Sequence, residues 1–272
     1  MSDDATLHRP IGVFDSGLGG LTVVRALRAL LPAEQIVYLG DSARVPYGTR
    51  SAETVIRYAR ACARHLDQQG LKMLVVACNT VSAVSLPALR EDVDIPVLGV
   101  ITAGARAAVA ATRGGAVGVI GTTGTIASRA YDLALANLAP GLRVESRAAP
   151  LLVPLAEEGW IAGPLPELAA RHYLAPLVDA GVDVLLLGCT HYPLLAGALQ
   201  NTLDALGSPA RIVDSATAMA EDVARHLADL GLGRPGGTGG LVCHVTDRPA
   251  SFQEVASRFL GAPIGPVEVV DI

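Results

Sequence analysis

Lys72-Met-Leu-Val-Val-Ala-Cys-Asn-Thr80 is a short apolar run that ends in a thiol and two hydrogen-bonding residues. Val182-Asp-Val-Leu-Leu-Leu-Gly-Cys-Thr-His191 repeats that order in the second half of the chain. Each run is strand-length and apolar on both faces, as buried parallel strands are. Strands are expected over 72–77 and 182–187, with Cys78 and Cys189 just past their ends.

Working outward, the pattern alternates strand and helix. Strands are expected at 11–15, 36–39, 96–100, 117–120 and 241–245, with Val144 in a further one. Helices are expected at about 21–31, 51–69, 81–91, 165–180, 192–206, 215–230 and 250–260, with another after 121–125; Asp214 or Ser215 would cap the one at 215–230. The glycine-rich stretch 231–240 reads as a loop. This alternation predicts an α/β fold with doubly wound parallel sheets.

The pattern also restarts. Ile11-Gly-Val-Phe-Asp-Ser aligns with Val117-Gly-Val-Ile-Gly-Thr, and the strand-end cysteines follow at similar distances, 67 positions from Ile11 to Cys78 and 72 from Val117 to Cys189. The expectation is two similar domains related by pseudo-symmetry. One spans 1–99 with 210–272 packing back, and the other spans 100–209. Ligands in such sheets bind beyond the C-terminal strand ends, so a cleft between the domains would hold both thiols.

Composition narrows the functions. Of 272 residues 51% are hydrophobic and only 4% aromatic, so the core is mostly aliphatic. A net charge of -5 with no basic block argues against nucleic acid as partner. A polar start and the absence of a long apolar run argue against a leader or a membrane span and for the cytoplasm. There Cys62, Cys78, Cys189 and Cys243 should be reduced. Of 21 basic residues only Lys72 is a lysine. Pyridoxal chemistry needs a lysine, and Lys72 lies roughly 20 Å from Cys78 along one strand, at about 3.3 Å per residue.

Five places could carry chemistry. Asp15-Ser16-Gly17-Leu18-Gly19-Gly20 presents a carboxylate at a strand tip and N–H groups at a helix start, without the glycine spacing of a dinucleotide turn. Cys78 is either a small buried hydrophobe or a thiol whose pKa a helix start lowers. Cys189 has His191 two residues on, able to orient the thiol or exchange its proton. Cys62 and Cys243 read as core. Gly121-Thr122-Thr123-Gly124-Thr125 is a helix cap that could also hold a carboxylate, and Pro46-Tyr47-Gly48 is a turn. A zinc site would have only Cys189, His191 and one cysteine from the other half, and none is expected. Two opposed thiols, one charged and one protonated, suit removal of a proton from one face of a carbon and return to the other.

Five segments together resemble the glutamate racemase family. They are Ile11-Gly-Val-Phe-Asp-Ser-Gly-Leu-Gly-Gly-Leu-Thr22, Gly40-Asp-Ser-Ala-Arg-Val-Pro-Tyr-Gly48, Val76-Ala-Cys-Asn-Thr80, Val119-Ile-Gly-Thr122 and Leu187-Gly-Cys-Thr-His-Tyr-Pro193. The resemblance runs from about 11 to 215. It implies interconversion of L-glutamate and D-glutamate, no cofactor, supply of D-glutamate for peptidoglycan, and a homodimer. It makes Cys78 and Cys189 the acid/bases, Cys78 acting on D-glutamate and Cys189 on L-glutamate, with Asp15 assisting Cys78 and His191 assisting Cys189. Ser16, Pro46, Tyr47, Gly48, Asn79, Thr80, Thr122, Thr125 and Thr190 become substrate contacts, with Asp15 and His191. Val153-Pro-Leu-Ala-Glu-Glu158 resembles a segment that supplies a glutamate; both are open, with Glu157 preferred. Ser42 stands where the family loop usually has Thr. The rival readings are a racemase for aspartate or a hydantoin, a one-thiol decarboxylase, and a module that only binds an amino acid.

Overall fold

The computed structural model describes residues 4–272. Its strands are β1 (Ile11–Asp15), β2 (Ile36–Gly40), β3 (Met73–Val76), β4 (Val97–Gly99), β5 (Ala116–Gly121), β6 (Arg143–Ala148), β7 (Val182–Gly188), β8 (Arg211–Asp214), β9 (Leu241–Val245) and β10 (Val267–Val269). They form two parallel sheets, ordered β10-β9-β2-β1-β3-β4 and β6-β5-β7-β8. Every pairing is parallel. The fold is therefore α/β with two parallel sheets.

The order β2-β1-β3-β4 in the first sheet is the order β6-β5-β7-β8 in the second. Cys78 follows β3 and Cys189 follows β7, so the thiols leave equivalent strands. The sheets differ at the edge. β2 is covered by β9 and buried along its length, whereas β6 is an edge and half-exposed. That is why β2 reads as a plain apolar run and Arg143-Val-Glu-Ser-Arg-Ala148 does not.

Two expected helices are broken, each at a proline. The expected helix at 81–91 is two helices, Asn79–Val84 and Leu86–Asp92, joined at Ser85. Pro87 cannot donate a backbone N–H, which starts the second helix anew. The one at 192–206 begins as a 3₁₀ turn, Tyr192–Leu195, containing Pro193, before the α-helix Ala196–Ala205. The strand expected at 96–100 ends at Gly99, and Val100 begins the helix Val100–Ala111; the rest of that helix, the helix Leu152–Glu157 and strands β8 and β10 lie outside the expected elements. Asp214 caps helix Ser215–Leu230, accepting from the Thr217 N–H at 2.7 Å.

Helix Ser215–Leu230 packs on helix Leu21–Leu30, which lies between β1 and β2, and on helix Val100–Ala111, which joins β4 to β5. Thr22 Oγ1 donates to Thr190 O at 3.0 Å, and the Gly124 N–H donates to Gly48 O at 3.0 Å. These bonds tie the strand-end loops of one sheet to those of the other. Among the described residues no helix is long and apolar enough to cross a membrane.

Candidate active site

The C-terminal strand ends of both sheets enclose one cavity of about 770 Å³. Cys78 and Cys189 both line it, and both are nearly buried, at 6% and 4% exposure. Cys62 and Cys243 do not; they sit in the core. Asp15, Ser16, Pro46, Tyr47, Gly48, Asn79, Thr80, Thr122, Glu157, Thr190 and His191 complete the expected residues on the cavity wall.

On the first side, β1 carries Asp15 and β3 delivers Cys78. Cys78 Sγ donates to Ser16 Oγ at 3.4 Å. Asp15 is 1% exposed; its Oδ2 accepts the Gly17 N–H at 3.0 Å, and its Oδ1 is buried without a well-formed partner. Burial raises the Asp15 pKa, offset by the charge of His191 and by backbone N–H groups. Gly20 is required beside it, because a Cβ there would lie 2.6 Å from Asp15 Cβ.

Cys78 stands at the start of helix Asn79–Val84, where a lowered thiol pKa is expected. The structure reverses that. Burial first, and then the Asp15 charge, push the thiol up to about 12, and the bond to Ser16 only tempers the rise. A single helix turn does not outweigh a buried carboxylate neighbour.

On the second side the histidine dominates. His191 Nδ1 is 3.8 Å from Cys189 Sγ, and Nε2 is 2.9 Å from Glu157 Oε1. Burial lowers the imidazole pKa, but its contacts with Cys189 and then Glu157 win and raise it to about 10. Glu157 is thus the glutamate that meets His191; Glu158 lines the cavity beside it. Gly19, from the first side, fits against this pair only because it lacks a side chain: a Cβ would fall 2.3 Å from Thr190 Oγ1.

Three threonine hydroxyls bridge the sides. Thr80 Oγ1 is 3.0 Å from Thr122 Oγ1 and 3.3 Å from Thr125 Oγ1, and the last two are 3.0 Å apart. Thr80 and Thr122 face the cavity, whereas Thr125 is buried behind them and does not line it. Its hydroxyl supports the other two. The Asn79 side chain is similarly engaged: its Oδ1 accepts from Tyr131 OH at 2.7 Å and its Nδ2 donates to Ser215 Oγ at 3.4 Å. The Tyr47 hydroxyl donates to Asp41 Oδ2, which also meets Arg44 Nε at 2.7 Å and so braces the loop 41–48.

The cavity has one wall that its sequence did not announce. Asp247, Arg248, Phe252 and Val255, at and on helix Pro249–Leu260, line it. Phe259 of the same helix sets its ring edge-on to His191, with centroids 5.1 Å apart. Lys72, in contrast, precedes β3 at the far end of the strand, buried against Glu34 at 2.6 Å. Among the described residues no group of three or more His, Cys, Asp and Glu side chains could hold a metal ion.

Fold and site define a class: a two-sheet α/β protein with two buried thiols in a shared cavity at its strand ends. A family model described as Asp/Glu/Hydantoin racemase matches residues 11–223. A glutamate racemase from Geobacter metallireducens is 50% identical over 265 residues, 97% of each chain. Among solved structures, the glutamate racemase of Francisella tularensis in complex with D-glutamate is 37% identical with a TM-score of 0.90, covering 97% of this chain and 98% of that one. The glutamate racemase of Thermus thermophilus in complex with β-chloro-D-alanine is 45% identical with a TM-score of 0.87, covering 98% of each. The chain belongs to the Asp/Glu/Hydantoin racemase family, and within it to the glutamate racemases.

Proposed function

We propose that the protein interconverts L- and D-glutamate by a two-thiol acid/base exchange that uses no cofactor. The observation that carries this is the pair Cys78 and Cys189 on one cavity wall each, with Asp15 beside one and His191 beside the other. A thiolate on one face takes the α-proton, and the opposite thiol supplies a proton to the other face. Hydrogen-bond donors around the cavity stabilise the carbanion-like charge on the substrate carboxylate.

The two sides give their thiols different neighbours. Burial and Asp15 keep Cys78 a thiol at neutral pH. On the other side, contacts with Cys189 and then Glu157 raise the His191 pKa to about 10, so an imidazolium faces the Cys189 sulfur at 3.8 Å. Cys189, with that cation beside it, is assigned the abstraction from L-glutamate, and Cys78, held as a thiol, the donation. In the reverse direction Cys78 must ionise beside Asp15. The substrate ammonium, placed near the Asp15 oxygen that lacks a good partner, would cancel that charge and make the Cys78 thiolate affordable. The wall residues Ser16, Thr80, Thr122 and Thr190 hold the two carboxylates, and Pro46, Tyr47 and Gly48 close the loop over them.

We divide the chain by sheet membership. The second domain then ends after β8 at Asp214, five residues past the end at 209 read from sequence, and the remaining chain returns to the first sheet. The assignment to D-glutamate supply for peptidoglycan, the cytoplasm and a homodimer follow from the family. Circular dichroism of L-glutamate with purified protein and nothing added tests the reaction: the signal should decay to zero. Aspartate should lag, since one methylene in a fitted pocket is worth about 1–3 kcal/mol and misplacing the α-carbon costs more. A stable signal, or equal kcat/KM for the two amino acids, overturns the reading in its first or second part.

A further inference from the structure

Tyr131 is outside the cavity, yet it touches the residue next to each thiol. Its ring lies against Gly188, where a Cβ would come within 2.8 Å of Cε2; Gly188 immediately precedes Cys189. Its hydroxyl donates to Asn79 Oδ1 at 2.7 Å, and Asn79 immediately follows Cys78. The chain of bonds then closes on itself. Asn79 Nδ2 donates to Ser215 Oγ at 3.4 Å, and Ser215 Oγ donates to Leu187 O at 3.1 Å, back on β7. Tyr131, Asn79 and Ser215 are all buried.

We propose that Tyr131 is a positioning residue, a strut between Gly188 and Asn79 that sets the separation of the two thiols. A phenol ring has few torsions and cannot shorten, and its ends are fixed by a backbone contact and a hydrogen bond. A buried polar network in which each member is satisfied has one low-energy arrangement. Gly188 has no side chain, and this lets the ring approach the main chain directly. Helix Val100–Ala111 is shaped to the same ring: a Cβ on Gly104 would lie 3.1 Å from the Tyr131 hydroxyl. The proton transfers need both sulfurs within reach of one carbon, and a displacement of about 1 Å costs on the order of 10²-fold.

This rests on the two-thiol reading and predicts how the reaction partitions. Once a thiolate has taken the α-proton, the carbanion is protonated either by the opposite thiol, giving inversion, or by the same sulfur, giving retention. In deuterium oxide the S–H formed by abstraction exchanges to S–D. Return from the same face then leaves uninverted glutamate with an α-deuteron. A wrong spacing slows delivery from the opposite thiol and raises the share of retention.

The experiment is Tyr131→Phe, which keeps the ring and removes the hydroxyl, assayed at low conversion in deuterium oxide. Chiral separation with mass spectrometry gives the ratio of α-deuterated starting enantiomer to inverted product. We expect kcat to fall about 10–10²-fold and the ratio to rise several-fold; Ser215→Ala, which removes a partner of the network and leaves the bond from Tyr131 to Asn79, should move it the same way by less. The ratio does not depend on how much protein is folded. An unchanged ratio overturns the strut even if kcat falls, because a uniform loss of active sites would do that. Racemisation by Cys78→Ser or Cys189→Ser near the wild-type rate would instead show that the two-thiol reading itself is wrong.

Discussion

Cys78 and Cys189 leave equivalent strands of equivalent sheets, and their surroundings have diverged. Cys78 has a buried carboxylate near it and a serine hydroxyl against it. Cys189 has an imidazole against it, itself held by a half-exposed glutamate. Burial and the carboxylate push the Cys78 thiol up, whereas a cation faces the Cys189 sulfur. A matched pair of thiols would titrate together and leave the site with either two bases or two acids over much of the pH range. The difference in neighbours gives the two thiols unlike surroundings, with Cys78 held protonated at neutral pH. The repeated strand order thus supplies the geometry, and the two thiols differ in their neighbours.

The largest expected effect tests the symmetric part of this comparison. Cys78→Ser and Cys189→Ser should each abolish racemisation, by at least roughly 10²–10⁴-fold, because a serine hydroxyl is hardly ionised at neutral pH. Polarimetry or dichroism reads it. Partial chemistry tests the asymmetric part. With analogues that carry a good leaving group at the β-carbon or nitrogen, Cys78→Ser should still eliminate from the L form and Cys189→Ser from the D form. Equal enantiomer preference in the two variants would break the face assignment while leaving the racemase standing.

Smaller effects come from the assisting groups. Asp15→Asn and His191→Asn should each slow the reaction, acting through different thiols. Because enantiomers are equal in free energy, kcat/KM must stay equal in the two directions for any variant. The inequality will show in kcat and KM taken separately, opposite in sense for the two changes. A kcat/KM that differed between directions would mean the assay was not at a true equilibrium reaction.

His191 also links the site to stability. Its pKa in the folded protein, about 10, lies above the ordinary 6.5. The stabilisation is therefore complete below about pH 6.5 and is lost as pH rises through about 10. Glu157→Gln should flatten that loss in urea unfolding between those limits and shift the alkaline limb of activity toward lower pH. The shift will be modest, because Glu157 is half-exposed and water screens it. An unchanged alkaline limb would remove Glu157 from the site. Smallest of all, Cys62→Ala and Cys243→Ala should leave racemisation intact and cost about 0.5–3 kcal/mol of stability by calorimetry, since both are core thiols.

Much of this was legible in the chain. Strand-length apolar runs ending in Cys78 and Cys189 report local geometry, because a parallel strand buried on both faces has few polar residues and ends where the chain must turn into a helix. Asp15, His191 and the strand-end loops follow from that placement, and so does the shared cavity. The elements missed are those whose pattern is not set locally. β6 is an edge strand with alternate exposed residues, and β8 and β10 are short with half-exposed faces. Helix breaks at Pro87 and Pro193 needed the backbone rule for proline.

What the sequence determined by itself was which residue types stand at the strand ends, and thus that two thiols, a carboxylate and an imidazole meet at one functional edge. What only the tertiary structure decided was what those groups touch. Burial, not the helix start, sets the Cys78 thiol high. Thr125 backs Thr80 and Thr122 instead of facing the cavity, and the Asn79 amide is taken by Tyr131 and Ser215. Helix Pro249–Leu260 supplies a wall from the far end of the chain. The physical reason is range. An element's type follows from the residues next to it, whereas a pKa or a partner follows from what packs against it, and the contacts across the two sheets join residues far apart in sequence that no local pattern relates.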